Sequence, residues 1–513
     1  MTKSKCKTSG AASCVVSGLS IGQVYSVTVM ARNTSGWGPA SPPVTAAAEV
    51  MDAASVIGQG AGAGYCAVTP AGGVDCWGRG ANGQLGNGVF YRHASGGSAV
   101  PVTVEGVGGV GTLGGVASLA SSGENFCALL TSGGVDCWGF NGSYGNLGDG
   151  ATTDSAVPEE VVGVGGSGAL SGVTALAGDG EGYCALLTSG GVDCWGYGEY
   201  GEIGDGSFTD SDVPEMVEGV GGTGTLAGVE SIVGFGNGYC ALLNSGQVAC
   251  WGEGTFGSLG DGSFSDSAMP MLVEGADGTG TLAGVVYLTS GYGESECALL
   301  TSGGLLCWGR GDYGQLGDGT FYTSGNLGSA VPVAVEGVGG TGTLNGVTTI
   351  VGYAFTFCAL LTSSGVDCWG AGEDGQLGDG TFYTSGNLGS AVPVAVEAVG
   401  GTGTLGRVVS LTQGCALLTS GAADCWGRGA NGQLGNGAFD DSAAPVIVKG
   451  LGGSGTLTDI TSIISAATGY CATFASSGTV NCWGGGGTGE LGDGIFYTTG
   501  NGGSPVPVAT EGP

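Results

Sequence analysis

The 513 residues carry 43 acidic and 10 basic side chains, a formal charge of −33. With no basic stripe to offset it, that surface repels phosphate and excludes nucleic acid and anionic membrane as partners. Gly and Pro supply 132 residues; the glycines recur at fixed places, which excludes low-complexity disorder and marks turns between many short strands.

Along the chain, Lys3, Lys5 and Lys7 come first, and the rest is more acidic still. No run reaches the roughly 20 apolar residues of a membrane-spanning helix, so membrane insertion is not expected. Residues 14–41 include Cys14-Val15-Val16, Gly22-Gln23-Val24-Tyr25, Val27-Thr28-Val29 and Gly36-Trp37-Gly38-Pro39. This stretch resembles the last strands of a fibronectin type III domain. The resemblance implies Tyr25 as the corner tyrosine and Tyr25, Val27, Val29 and Ala31 as an inward face. It also implies a disulfide between Cys6 and Cys14, as in bacterial extracellular modules. About half of such a domain is absent and no signal peptide is visible, so the chain is expected to be a piece of a larger protein. Residues 1–48 are assigned to this segment and its linker, and 49–513 to a tandem array.

The array repeats a Cys–Cys–Trp set eight times, its first cysteines 56 to 61 residues apart. The sets pair Cys66 with Cys76, Cys127 with Cys137, Cys184 with Cys194 and Cys240 with Cys250. They go on to pair Cys297 with Cys307, Cys358 with Cys368, Cys415 with Cys425 and Cys471 with Cys482; a tryptophan follows the second cysteine each time. A glycine-rich phrase comes next, such as Gly314-Gln315-Leu316-Gly317-Asp318-Gly319. A Val-Pro-Val phrase (Val331-Pro332-Val333), a Gly-Gly-Thr-Gly-Thr-Leu phrase and a β-rich phrase (Val347-Thr348-Thr349-Ile350-Val351) complete the unit. Each unit offers about four short strands and no helical periodicity. Four-stranded units in tandem suit the blades of a propeller, whose stacking buries a core that one repeat cannot bury alone. Proline cannot donate to a ladder, so each Val-Pro-Val belongs at a strand start or an edge.

Nine residues separate Cys127 from Cys137, with Thr131-Ser132-Gly133-Gly134 at the centre. That spacing predicts a hairpin with the cysteines opposite each other on one face, close enough for a disulfide. Buried free thiols are the alternative; a zinc site is disfavoured by the spacing and by the single histidine. The eighth pair has one extra residue, which predicts a bulge in its ladder. If oxidised, the pairs imply an extracellular or periplasmic setting. The tryptophans read as buried walls between blades, against a ring that stacks a ligand.

The pattern Cys-Ala-Leu-x-x-x-Gly-x-Val-x-Cys-Trp-Gly, followed by Gly-Gln-Leu-Gly-Asp-Gly, resembles the repeat of the regulator of chromosome condensation family in a bacterial, cysteine-bearing form. The resemblance covers residues 52–513. It implies an all-β fold, a β-propeller of seven or eight four-stranded blades, here preceded by the partial β-sandwich segment. The family's founder exchanges nucleotide on a small GTPase and binds chromatin. This chain lacks the basic tails and the exchange wedge that such roles need.

Catalytic triads would have to use His93, which sits in a glycine-rich loop. Asp149, Asp205, Asp261, Asp318, Asp379 and Asp493 share one Gly-Asp-Gly turn that has Asn87 and Asn436 in the other copies. Asp–Asn interchange fits side-chain-to-backbone bonding. No calcium-loop pattern accompanies it. No catalytic, cofactor-binding or metal residue is assigned, and no cofactor is expected. Copy-to-copy variation concentrates after each Trp-Gly and brings in Arg79, Tyr144, Tyr197, Tyr200, Phe256, Arg310, Tyr313 and Arg428. Such residues anchor interfaces; ordinary loop drift is the competing reading. The expected function is an extracellular, non-enzymatic scaffold. It would be a monomeric module of a larger chain, presenting these loops to a protein or glycan. The alternatives are a secreted enzyme inhibitor and a nucleotide exchange factor.

Overall fold

In the computed structural model, Asn125–Leu130 and Val135–Gly139 form the hairpin that the cysteine spacing predicts, with Cys127 opposite Cys137 and Phe126 opposite Trp138. Gly133 closes the turn at φ +82°, a left-handed conformation that a side chain disfavours. Val116–Ser122 pairs on one side of the hairpin and Ser155–Glu160 on the other. The result is a four-stranded antiparallel sheet whose strands follow chain order. The structure describes residues 51–513 apart from 52, 59–63, 93–94, 292, 467 and 476–477, and the backbone of 24–27, 32–33, 36–37 and 44–47.

Eight such sheets form eight blades: residues 55–103, 116–160, 173–216, 229–272, 285–334, 347–395, 408–447 and 460–509. The first strands of successive blades pack against one another at every interface but that of blades 6 and 7, which places them innermost. The fourth strands are the outer edges. Pro101, Pro158, Pro214, Pro270, Pro332, Pro393, Pro445 and Pro507 all lie on them, where a missing N–H costs no ladder bond. The ring closes with eight blades. Ile460–Ala466 of blade 8 packs on Ser55–Gly58 of blade 1, Met51 N–H donates to Thr510 O and Ala53 N–H to Gly478 O.

The blade interfaces explain the recurring phrases. Every repeat tryptophan is buried, and its indole N–H donates to a main-chain carbonyl of the preceding blade. Trp138 bonds Gln84 O, Trp195 Asn146 O, Trp251 Glu202 O and Trp308 Ser258 O; Trp369 bonds Gln315 O, Trp426 Gln376 O and Trp483 Gln433 O. Trp77 bonds Glu490 O across the closure. All eight bonds span 2.8–3.1 Å. The accepting carbonyl sits in the glycine-rich phrase, and the glycine two residues later lies flat on the indole. A Cβ on Gly148 would stand 2.7 Å from Trp195 Nε1. The tryptophans are walls between blades, and a ligand has no access to them as a ring.

All eight cysteine pairs are bonded, and the free-thiol alternative falls away. Cys66 is joined to Cys76, Cys127 to Cys137, Cys184 to Cys194 and Cys240 to Cys250. Cys297 is joined to Cys307, Cys358 to Cys368, Cys415 to Cys425 and Cys471 to Cys482. Each bond bridges directly opposed residues of a hairpin, with a Cα–Cα separation of 4.1 Å in every pair. In blade 8 the bulge expected from the extra residue is absent: Cys471 pairs with Cys482 and Thr473 with Val480 without a register shift. The turn absorbs the extra residue, because a turn accepts another residue more cheaply than a ladder flanked on both sides.

The side-chain-to-backbone reading holds in seven of the eight copies: Asp149, Asp205, Asp261, Asp318, Asp379, Asp493 and Asn436 each accept from the N–H two residues on, whereas Asn87 instead donates its amide to the Tyr91 hydroxyl and its Oδ1 makes no such bond. Near the N-terminus, Val24–Val27 pairs with Val44–Ala47 and Arg32–Asn33 with Gly36–Trp37. The roles foreseen for Tyr25, Cys6, Cys14 and His93 lie outside the described residues.

Candidate binding face

Each variable loop starts where the third strand of a blade ends, beside the turn that joins its first two strands. Main-chain bonds tie the two together: Phe140 N–H to Glu124 O, Tyr197 N–H to Glu181 O, Glu253 N–H to Asn237 O, Arg310 N–H to Glu294 O and Ala371 N–H to Phe355 O. The variable residues therefore share one face of the ring. The Thr-Ser-Gly turns, bonded to the connections between blades, occupy the other.

Two half-exposed aromatic clusters form on this face. In blades 2 and 3, Tyr144 packs edge-on against Tyr197 at 4.8 Å between centroids, and Tyr197 against Tyr200 at 5.9 Å. In blades 4 to 6, the Arg310 guanidinium lies 4.8 Å from the Phe256 ring and 4.7 Å from Phe355, which itself stacks on Tyr313 at 4.8 Å. Arg310 also makes two bonds to Asp312, at 2.8 and 3.1 Å. Its charge is thus held locally, and its flat group acts as a plate between two rings. Phe256 sits at φ +64°. That conformation is costly for a bulky residue and persists only where surroundings impose it.

Of the other predicted loop residues, Arg79 is held by Glu124 at 2.6 Å, and Arg428 stands exposed in blade 7 beside a cavity. Sequence reading missed Phe355. It belongs to the turn between first and second strands, whereas the search for variation followed the tryptophans.

A pair of acids was missed as well. Glu202 occupies the position that Gln84, Gln315 and Gln376 hold elsewhere. Burial first, and the charge of Asp179 after it, push its carboxyl up to about 9; burial pushes Asp179 up to about 7. At 1% and 5% exposure the two lie beneath the loops and out of reach of a substrate. In blade 5, burial raises Glu294 to about 7, with Glu253 adding to the rise and Arg310 opposing it. Glu296, fully buried, replaces the aromatic residue that faces the tryptophan in most blades, and burial raises its carboxyl strongly.

Residues 302–359 and 421–475 match the family model of the regulator of chromosome condensation (RCC1) repeat. Each matched segment runs from the hairpin turn of one blade to the second strand of the next, so sequence repeat and blade are out of phase. The chain is 31% identical over 369 residues to the E3 ubiquitin-protein ligase HERC2 of Mus musculus, a match covering 71% of this chain and 7% of that protein. It is 31% identical over 253 residues to the ultraviolet-B receptor UVR8 of Arabidopsis thaliana, covering 49% and 52% respectively. The chain thus spans only part of the length of these relatives. Human WBSCR16 shares the fold, with a TM-score of 0.55 and 20% identity over 79% of this chain and all of that one. Prp20p of Saccharomyces cerevisiae shares it too, with a TM-score of 0.52 and 18% identity over 73% and 85%. The described array is therefore an eight-bladed propeller, and its residues 302–359 and 421–475 carry repeats of the regulator of chromosome condensation kind.

Proposed function

We propose that this propeller is a non-catalytic binding scaffold that captures a protein partner on its variable-loop face, in an oxidising, extracellular setting. The observation that carries the reading is the pair of aromatic clusters. Loops from five consecutive blades bring Tyr144, Tyr197, Tyr200, Phe256, Arg310, Tyr313 and Phe355 into ring contacts that lie half-open to solvent. Rigid aromatic anchors of this kind dominate protein interfaces. Phe256 in particular is held in a conformation that its own backbone disfavours. The eight bonded cysteine pairs support the compartment. Acidic groups at Glu199 and Glu253 stand beside Tyr197 and Tyr200, so the fitting partner presents apolar anchors with a basic group next to them.

The test uses the oxidised protein immobilised against extracellular proteins of its own host, with retained proteins quantified by mass spectrometry. The partner should be held by the parent protein and by Ser132→Ala on the opposite face. It should be lost from Tyr197→Ala and Phe256→Ala. Equal retention by all four would refute the assignment of the face.

A further inference from the structure

Blade 7 departs from the other seven at one place. From Val408 to Cys415 it takes seven steps where blade 2 takes eleven, from Val116 to Cys127. The structure locates the missing four residues in the turn between first and second strands, where Thr412 pairs directly with Cys415. The same shortening puts Gly414 where six other blades place a tyrosine or phenylalanine against the tryptophan. Blade 7 has lost both its turn and its aromatic lid.

The loss leaves a cavity of about 210 Å³ on the variable-loop face, between blades 6, 7 and 8. Groups that are sealed elsewhere line it. Tyr470 is half-buried, whereas Tyr65, Tyr183 and Tyr239 are no more than 2% exposed. Gln376 is half-buried, whereas Gln84 and Gln315 are fully buried. Cys358 reaches 6% exposure, whereas no other repeat cysteine exceeds 1%. The phenols of Tyr353 and Tyr470 form its open walls, buried Trp426 lies at its floor, and Asp374, Gln376 and Arg428 bring hydrogen-bonding groups to it.

We infer that this cavity is a binding site for a single neutral sugar ring, the terminal unit of a glycan. The volume lies below the roughly 300–1,000 Å³ of pockets for drug-sized ligands, and suits one ring. Aromatic walls fit the apolar face of a pyranose. An amide, a carboxylate and a guanidinium supply both donors and acceptors for neighbouring hydroxyls. Asp374 and Arg428 carry opposite charges, so neither an anion nor a cation is preferred. The site does not use the aromatic plates of blades 2 to 6, so it stands or falls separately from the protein-binding reading.

The probes are free methyl pyranosides of glucose, galactose, mannose and N-acetylglucosamine, each titrated into the full oxidised chain and followed by saturation-transfer NMR. At least one should bind with Kd of about 10 mM or tighter. Asp374→Ala and Tyr353→Ala, both at the open rim, should weaken it about tenfold or more, and Tyr197→Ala should leave it unchanged. Replacing residues 412–414 by residues 120–126 of blade 2 restores turn and lid, and should abolish binding while the fold persists. Absence of binding by all four sugars, or binding indifferent to both rim variants, would overturn the proposal. Because Tyr197→Ala separates the two surfaces, loss of sugar binding and loss of the protein partner are distinguishable.

Discussion

Trp77→Phe tests the closure of the ring, and Trp369→Phe calibrates it. Each substitution removes one indole N–H that crosses a blade interface: Trp77 to Glu490 O at 2.8 Å, from blade 1 to blade 8, and Trp369 to Gln315 O at 2.9 Å, from blade 6 to blade 5. Both side chains are 0% exposed. The carbonyl left behind is buried and unpaired, at a cost of about 1–3 kcal/mol. Losing about 40 Å³ of ring at about 24 cal/mol per Å³ adds about 1 kcal/mol. Each variant should therefore lose about 2–4 kcal/mol, which in an array of this size lowers Tm by about 2–4 °C. The assay is thermal unfolding of the oxidised protein followed by circular dichroism. Neighbour coupling governs repeat arrays, so a closed eight-bladed ring predicts equal losses at the two interfaces. A silent Trp77→Phe beside a destabilised Trp369→Phe would show that blades 8 and 1 do not join. If both are silent, the indole bonds do not hold the blades together.

Alkylation of denatured, unreduced protein from the native host should leave all sixteen repeat cysteines unmodified until a reductant is added; free thiols would remove the extracellular setting. Replacing Cys127 and Cys137 together with alanine should cost about 2–3 kcal/mol in denaturant unfolding, because the released hairpin gains freedom in the unfolded chain. Ser364 sits at φ +63° where the other hairpin turns use glycine, so Ser364→Gly should stabilise by about 1 kcal/mol. Asp179 and Glu294, raised to about 7, and Glu202, raised to about 9, keep protons that the unfolded chain releases near pH 4. The native state thus binds more protons across that window, and stability should fall as pH rises from about 4 through 9. Tm should be lower at pH 9 than at pH 5, and Glu202→Gln, which installs the residue found in sister blades, should flatten the decline between pH 7 and 9. A Tm that rises across this range would contradict the burial of these acids.

Much of the fold was legible because the repeat exposes its own physics. Nine residues between cysteines with Ser-Gly at the centre allow one hairpin register, and a proline in every fourth strand marks the outer edge. The Asp–Asn interchange in the glycine turn announced a local backbone bond, which the structure contains. The placement of the variable loops was partly legible. The loops that vary after each Trp-Gly do gather on one side, and six of the eight residues singled out there meet in ring clusters. Phe355 and the Asp179–Glu202 pair were not legible, because each involves the turn between the first and second strands of a blade, which only the fold brings beside the loop after the third strand.

Sequence periodicity alone determined the blade, its hairpin pairing and its cysteine partners, since those depend on spacing within one repeat. Only the tertiary structure decided the blade number, because closure depends on the contact between residues 51–58 and 460–510, which no local pattern encodes. It also decided what the short blade 7 means. Four missing residues look like loop variation until the neighbouring blades show that Tyr470 and Gln376 lose their cover together. A deletion becomes a cavity only through what surrounds it, and packing between blades supplies those surroundings.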